Sequence, residues 1–152
     1  MLVLARAETR EADARLRLES VLSGSAALAK FRQMVTAQGG DPRVVDDPGR
    51  LPQAKRKVAV RAGTAGWVRA IDAAAVGEIA HGLTREGGPG AGVMLLKKRG
   101  DKVADGEPVA VVHGGAGAQQ AARALADAFD IGARAPRRRP LVLEAVASGS
   151  AP

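Results

Sequence analysis

Apolar positions along this 152-residue chain follow a helical period first and an alternating period later. Ala12, Leu16, Val21 and Leu22 recur near helical spacing, after Thr9 as a plausible N-cap and with Glu11 and Asp13 in the first turn, until Ser23-Gly24 stops the run. Ser25 can cap a second helix, in which Leu28, Phe31, Met34 and Val35 form a stripe ended by Gly39-Gly40. Two helices so closely linked predict an antiparallel hairpin. Met1 to Ala5, apolar throughout, reads as part of a buried helix.

Asp41 to Pro52 holds three prolines, and the pairs Asp41-Pro42 and Asp47-Pro48 push the residue before each proline out of the helical region. We therefore expect a linker over 41–54. Beyond it, Val58, Val60 and Ala62 point one way while Lys57, Ala59 and Arg61 point the other, as a half-buried strand requires. A turn at Gly63 to Gly66 leads to a second short strand, Trp67 to Ile71, in which Trp67 reads as a core anchor. Asp72 then caps a helix with Val76, Ile79, Ala80 and Leu83 on one face, and Gly87 to Gly92 is a turn.

Lys97 to His113, KKRGDKVADGEPVAVVH, follows the apolar run Val93 to Leu96 and breaks at Gly100-Asp101 and Asp105-Gly106, which marks a compact β unit. After Gly114 to Gly117, Ala121, Leu125, Ala128 and Phe129 line one side of a further helix, broken by Pro136 to Pro140. Leu141 to Val146 reads as a last strand and 147–152 as a disordered tail. The fold class expected is α+β, with a helical hairpin over 1–40 and a small mixed domain over 55–146.

Composition narrows the chemistry. Only Phe31, Trp67 and Phe129 are aromatic, so the core must be built from Ala, Val, Leu and Ile. With no cysteine there are no disulfides and no thiol chemistry, which suits a cytoplasmic location. No apolar run approaches the roughly 18 residues of a membrane span, and the N-terminus lacks the basic-then-apolar order of a signal peptide. The net charge of +7 raises nucleic-acid binding, yet the basic residues are dispersed apart from Lys55-Arg56-Lys57, Lys97-Lys98-Arg99 and Arg137-Arg138-Arg139, without interleaved aromatics to stack bases. Neither a nucleic-acid nor a membrane partner is expected.

Candidate sites are few. His81 and His113 have neither cysteine partners nor HxxxH spacing, so no metal site is expected. Gly114 to Gly117, between a strand and a helix, is the best local candidate for a phosphate cradle, but it lacks the Lys-Ser/Thr of a P-loop and reads better as a flexible linker. Asp46, Asp47, Asp101 and Asp105 sit on Pro or Gly turns, where local backbone hydrogen bonds are the default role. The GD-V-xxG-E pattern is also similar to that of biotinyl or lipoyl carriers, but Lys97, Lys98 and Lys102 lack the MKM or DKA setting of a modified lysine.

The segment GSAALAKFRQMVTAQGGDPRVVDDPGRLP, Gly24 to Pro52, resembles the junction between the catalytic and C-terminal domains of thymidine and pyrimidine-nucleoside phosphorylases. The resemblance continues through Ala65-Gly66-Trp67-Val68, Gly92 to Leu96, LLKKRGDKVADGEPVAVVH and Arg139-Pro140-Leu141. It implies that 1–40 is a helical remnant of an α/β catalytic domain and 55–146 a C-terminal domain of barrel-sandwich, hammerhead type. It further implies phosphorolysis of a pyrimidine nucleoside to free base and pentose 1-phosphate by a homodimer, with inorganic phosphate as co-substrate and, in some members, ligands for a monovalent cation; no cofactor is expected in this chain. The family's phosphate loop and its Lys, Arg, Ser and His site residues match nothing in this sequence. The expected catalytic, substrate-binding, cofactor-binding and metal residues of this chain are therefore none, and its partners are the catalytic domains of a parent enzyme. A stand-alone interaction module that kept the fold without the chemistry is the alternative. One departure is local: Leu83 reaches Gly92 through TREGGPGA, about seven residues shorter than the family's basic-acidic loop there.

Overall fold

The computed structural model describes residues 1–137, 140, 142 and 144. Most of the strand expected at Leu141–Val146, and all of the tail at 147–152, lie outside the described residues. The chain divides into two compact units, Met1–Pro52 and Gln53–Pro152.

The first unit is helical. Helix α1 spans Glu11–Ser23 and α2 spans Ala26–Ala37; the two touch across a link of only Gly24 and Ser25. Thr9 is not the cap: Arg10 occupies that position, and its side chain instead pairs with Asp13 at 2.8 Å. Met1 to Ala5 forms an exposed turn closed by the Ala5 N–H on the Met1 carbonyl at 2.8 Å, not a buried helix. Apolar composition alone does not bury a segment that has nothing to pack against. The connector is more ordered than a bare linker. Asp41 and Asp47 each accept a backbone N–H, from Arg43 and Gly49, and start short 3-10 helices at Pro42–Val45 and Pro48–Arg50. Proline in the first turn costs no hydrogen bond there.

The second unit holds two three-stranded antiparallel sheets. In the first, the order is β1 (Arg56–Arg61), β5 (Pro108–Gly114), β3 (Gly92–Leu95); in the second it is β4 (Lys102–Val103), β2 (Gly66–Ile71), β6 (Phe129–Gly132). Strand β1 runs in register with β5 from Arg56 opposite Gly114 to Val60 opposite Ala110, then shifts at a bulge. Between the sheets' strands come α3 (Ala73–Gly87) and α4 (Ala118–Asp127). Asp72 caps α3 as the sequence indicates, its Oδ1 accepting the Ala74 and Ala75 N–H groups at 3.0 and 3.1 Å.

One core joins these elements. Val60, Val109 and Val112 come from the first sheet, Val68 and Val103 from the second, Leu83 from α3, and Ala118, Ala122 and Leu125 from α4. Strand alternation decides two positions. Val58, Val60 and Ala62 do point inward. In β2, however, Val68 is fully buried and Trp67 is only half-buried, outside the core; consecutive residues of a strand face opposite ways, so only one could anchor. Phe129 also departs from expectation, since α4 ends before it and the ring belongs to β6, paired with Ile71.

Candidate functional site

The Lys97–His113 stretch is where sequence pattern and structure can be compared residue by residue. Strands β3 and β5 pair with each other, from Gly92 opposite His113 to Leu95 opposite Ala110. Between them the chain leaves the first sheet, contributes β4 to the second and returns. Gly100 turns the chain out with φ +98°, and its N–H donates to the Val68 carbonyl at 2.8 Å. The Asp101 carboxylate accepts the Lys98 N–H at 2.7 Å, and the Asp101 carbonyl accepts the Val68 N–H at 2.9 Å. Val103 enters the core. Gly106 turns the chain back with φ +72°, a conformation that favours glycine. Glu107 then closes the excursion: its carboxylate accepts the Ala104 N–H at 2.8 Å and pairs with the Lys97 ammonium at 2.6 Å. The Lys97 hydrogen bond, with that from Ala104, holds the Glu107 carboxyl below its usual range.

Every position of the Lys-x-x-Gly-Asp-x-Val-x-x-Gly-Glu pattern thus has a structural task in tying one sheet to the other. Lys102, the remaining candidate for a carrier lysine, lies on β4 opposite Trp67 and not at the tip of a turn.

Gly114 to Gly117 is a packed turn rather than a linker. Gly114 is buried, and a Cβ on it would stand 3.0 Å from Leu83 Cδ2 and 3.3 Å from the Ala118 Cβ, so glycine here permits close approach of α3 and α4. At Gly117 an added Cβ would lie 3.0 Å from the Glu86 carboxylate. A carboxylate at the start of α4 already supplies the negative charge a helix N-terminus favours, and it opposes a phosphate there.

The other candidates are separated. His81 is exposed on α3 and His113 is half-buried on β5, opposite Lys57 and Gly92. Among the described residues no three His, Asp or Glu side chains come together to hold a metal ion. Asp46 accepts from Arg32 Nε at 3.1 Å, and Asp105 lies exposed in the turn before Gly106. The guanidinium of Arg43, hydrogen-bonded to Asp41, lowers that carboxyl to about 2. No described helix is long and apolar enough to cross a membrane.

Sequence reasoning did not find two depressions in the second unit. A cavity of about 450 Å³ is lined by Arg61, Thr64, Val109, Asp127, Phe129 and Ile131, which come from three separate stretches of chain. Arg61 is partly committed, donating to the Gly106 carbonyl at 2.9 Å. A groove of about 270 Å³ runs between α3 and α4 past Ile79, Gly82, Glu86 and Gln120. Thr64 and Asp127 both line the first, but the Thr64 hydroxyl donates to the Ala65 carbonyl at 3.5 Å, and among the described hydrogen bonds none joins it to a base.

The family model described as the pyrimidine nucleoside phosphorylase C-terminal domain matches residues 67–132, from β2 through β6. Over that stretch the chain is a pyrimidine nucleoside phosphorylase C-terminal domain. It is 41% identical over 120 residues to the pyrimidine-nucleoside phosphorylase of Bacillus subtilis (strain 168), a match covering 74% of this chain and 28% of that relative. The enzyme of the same name from Staphylococcus aureus (strain USA300) is 40% identical over 121 residues, with the same coverage. The chain therefore spans little more than a quarter of the length of the curated relatives it matches.

Proposed function

We propose that this chain is the C-terminal part of a pyrimidine-nucleoside phosphorylase, an enzyme that takes a pyrimidine nucleoside and inorganic phosphate to free base and (deoxy)ribose 1-phosphate. In this reading the chain is inactive alone. Residues 1–40 belong with the catalytic α/β domain, 41–54 link, and 55–146 form a domain that braces it. The assembled enzyme is a cytoplasmic homodimer with inorganic phosphate as co-substrate, and this chain itself holds no cofactor. The observation that carries the reading is the agreement between the 67–132 match and a stretch in which the conspicuous sequence pattern is consumed by structural tasks. Chemistry of this kind needs positioned donors and cations around a phosphate, and the family residues that supply them correspond to no position in this sequence.

A chimera tests it. The matched C-terminal stretch of the Bacillus subtilis phosphorylase is replaced by the corresponding stretch of this chain, and phosphorolysis of thymidine and uridine is measured. Activity within about tenfold of the parent, roughly 1.4 kcal/mol in barrier, supports a shared bracing role. A folded but inactive chimera counts against it and favours the interaction module, which the self-contained core of the second unit would also serve.

A further inference from the structure

The cavity of about 450 Å³ carries two charges that the fold leaves unused. It lies within the second unit, and its volume falls inside the roughly 300–1,000 Å³ common to small-molecule sites. Its floor is apolar. Val109 is 1% exposed, and Phe129 and Ile131, two apart on β6, share the face that packs on the core. Asp130 between them points the other way and pairs with Arg69 at 2.6 Å, so its charge stays out of the lining. The walls are polar. Arg61 ends β1, where the register on β5 shifts, and Asp127 is the last residue of α4. Both are exposed, and among the described residues no ion pair engages either one or joins the two. Arg61 gives one N–H to the Gly106 carbonyl, and among the described residues its other donors have no acceptor. Asp127 adds negative charge at the end of a helix whose dipole is already negative there, and α4 has no basic residue in its last turn. A cation from outside the chain is stabilised by both.

We propose that this cavity binds a free α-amino acid with an apolar side chain. The ligand carboxylate lies on the Arg61 guanidinium, whose planar fork matches a carboxylate with two parallel hydrogen bonds. The ligand ammonium lies between Asp127 and the carbonyl end of α4, and the side chain rests over Val109, Phe129 and Ile131. Thr64 adds a hydroxyl to the lining, held to the Ala65 carbonyl only by a long bond of 3.5 Å that is readily exchanged. The two unpaired charges select the class. A ligand that is only a cation leaves Arg61 unanswered, one that is only an anion meets Asp127 as a like charge, and a neutral one answers neither. A zwitterion with an apolar body answers both and also covers the floor. Amino-acid binding here stands or falls separately from phosphorolysis, since none of the six lining residues named is asked to perform that chemistry.

The test titrates L-leucine and L-phenylalanine into the full 152-residue chain and follows the backbone amides by NMR. The expected result is saturable binding of at least one, with a dissociation constant at or below about 1 mM and shifts centred on Thr64, Asp127 and Phe129. Arg61→Gln and Asp127→Asn should each weaken it by about tenfold, while Arg56→Gln, at the far end of β1, leaves it unchanged. Trp67 fluorescence in urea checks that each variant folds; if Arg61→Gln does not, Asp127→Asn and two analogues decide. N-acetyl-L-phenylalanine lacks the ammonium, so its weaker binding should depend on Arg61 and not on Asp127. L-phenylalaninamide lacks the carboxylate and should show the reverse. Absence of saturable binding of either amino acid up to about 10 mM overturns the proposal. Shifts away from the cavity, or affinity indifferent to both Arg61 and Asp127, overturn the site. Analogues bound as tightly as L-phenylalanine, or saturable binding of uracil without binding of either amino acid, overturn the ligand class.

Discussion

Leu125→Ala should destabilise the second unit more than substitution at any exposed leucine of the first. Leu125 is 0% exposed on α4, which packs against β1, β5 and β6. The core is poor in large side chains: besides Leu83 and Leu125 it holds valines and alanines only. Leucine to alanine removes three carbons, a transfer loss of about 2.4 kcal/mol at about 0.8 kcal/mol per carbon. The cavity left behind adds to it, within the roughly 2–5 kcal/mol span of such substitutions. A loss of about 3–4 kcal/mol is a large share of the roughly 5–15 kcal/mol expected for a domain near 100 residues. The thermal midpoint should fall by about 12 to 30 °C. Urea unfolding of the full chain, followed by the fluorescence of Trp67 on β2, gives the free energy directly. Leu28→Ala, at a 44% exposed position of α2, is the matched control, with an expected change below about 1 kcal/mol. A Leu125→Ala loss under about 1 kcal/mol, or an equal loss for Leu28→Ala, would refute the assignment of the stabilising core to the second unit.

Further outcomes follow from single contacts. Asp72→Ala removes the acceptor for two N–H groups at the start of α3 and should cost about 1 kcal/mol in urea unfolding, while Asp72→Ser should keep most of it. Gly66→Ala places a Cβ 2.7 Å from the Gly132 carbonyl oxygen, backbone that cannot swing aside, and should cost about 1–3 kcal/mol; Gly63→Ala, with nothing within 4 Å, should be near neutral. Asp41 should titrate by carbon-detected NMR with a midpoint at about 2, because Arg43 favours its charged form. Its folded value lies below the ordinary 3.8, so its contribution to stability is present above that pH and is lost as pH falls toward about 2. A midpoint near 3.8 would show that the Asp41–Arg43 pair does not persist in solution.

The sequence exposed those features whose cause is local. Alternation placed Val58, Val60 and Ala62 inward, and an aspartate before an apolar helical run placed the cap of α3. Both signals lie within a few residues. Strand β6 was hidden because it begins directly after the Ala128 cap of α4, and Phe129 falls at helical spacing from Leu125 with no turn residue between. Trp67 lost the core position to its neighbour Val68 because side-chain size does not reveal which face of a strand is inward. Apolarity misled at Met1 to Ala5, where burial depends on a surface that sequence does not display. The 450 Å³ cavity was illegible for a different reason, since residues as far apart as Arg61 and Ile131 meet only through the fold. The Gly-Asp pattern was legible as turns, but its bonds between the two sheets needed coordinates.

The most direct measurement of the account is phosphorolysis by the purified 152-residue chain, supplied with thymidine or uridine and inorganic phosphate and followed by release of the free base. The account predicts no turnover above the uncatalysed background. Turnover in the ordinary enzymatic range of about 1–10³ per second would contradict it, because the chemistry would then reside in this chain.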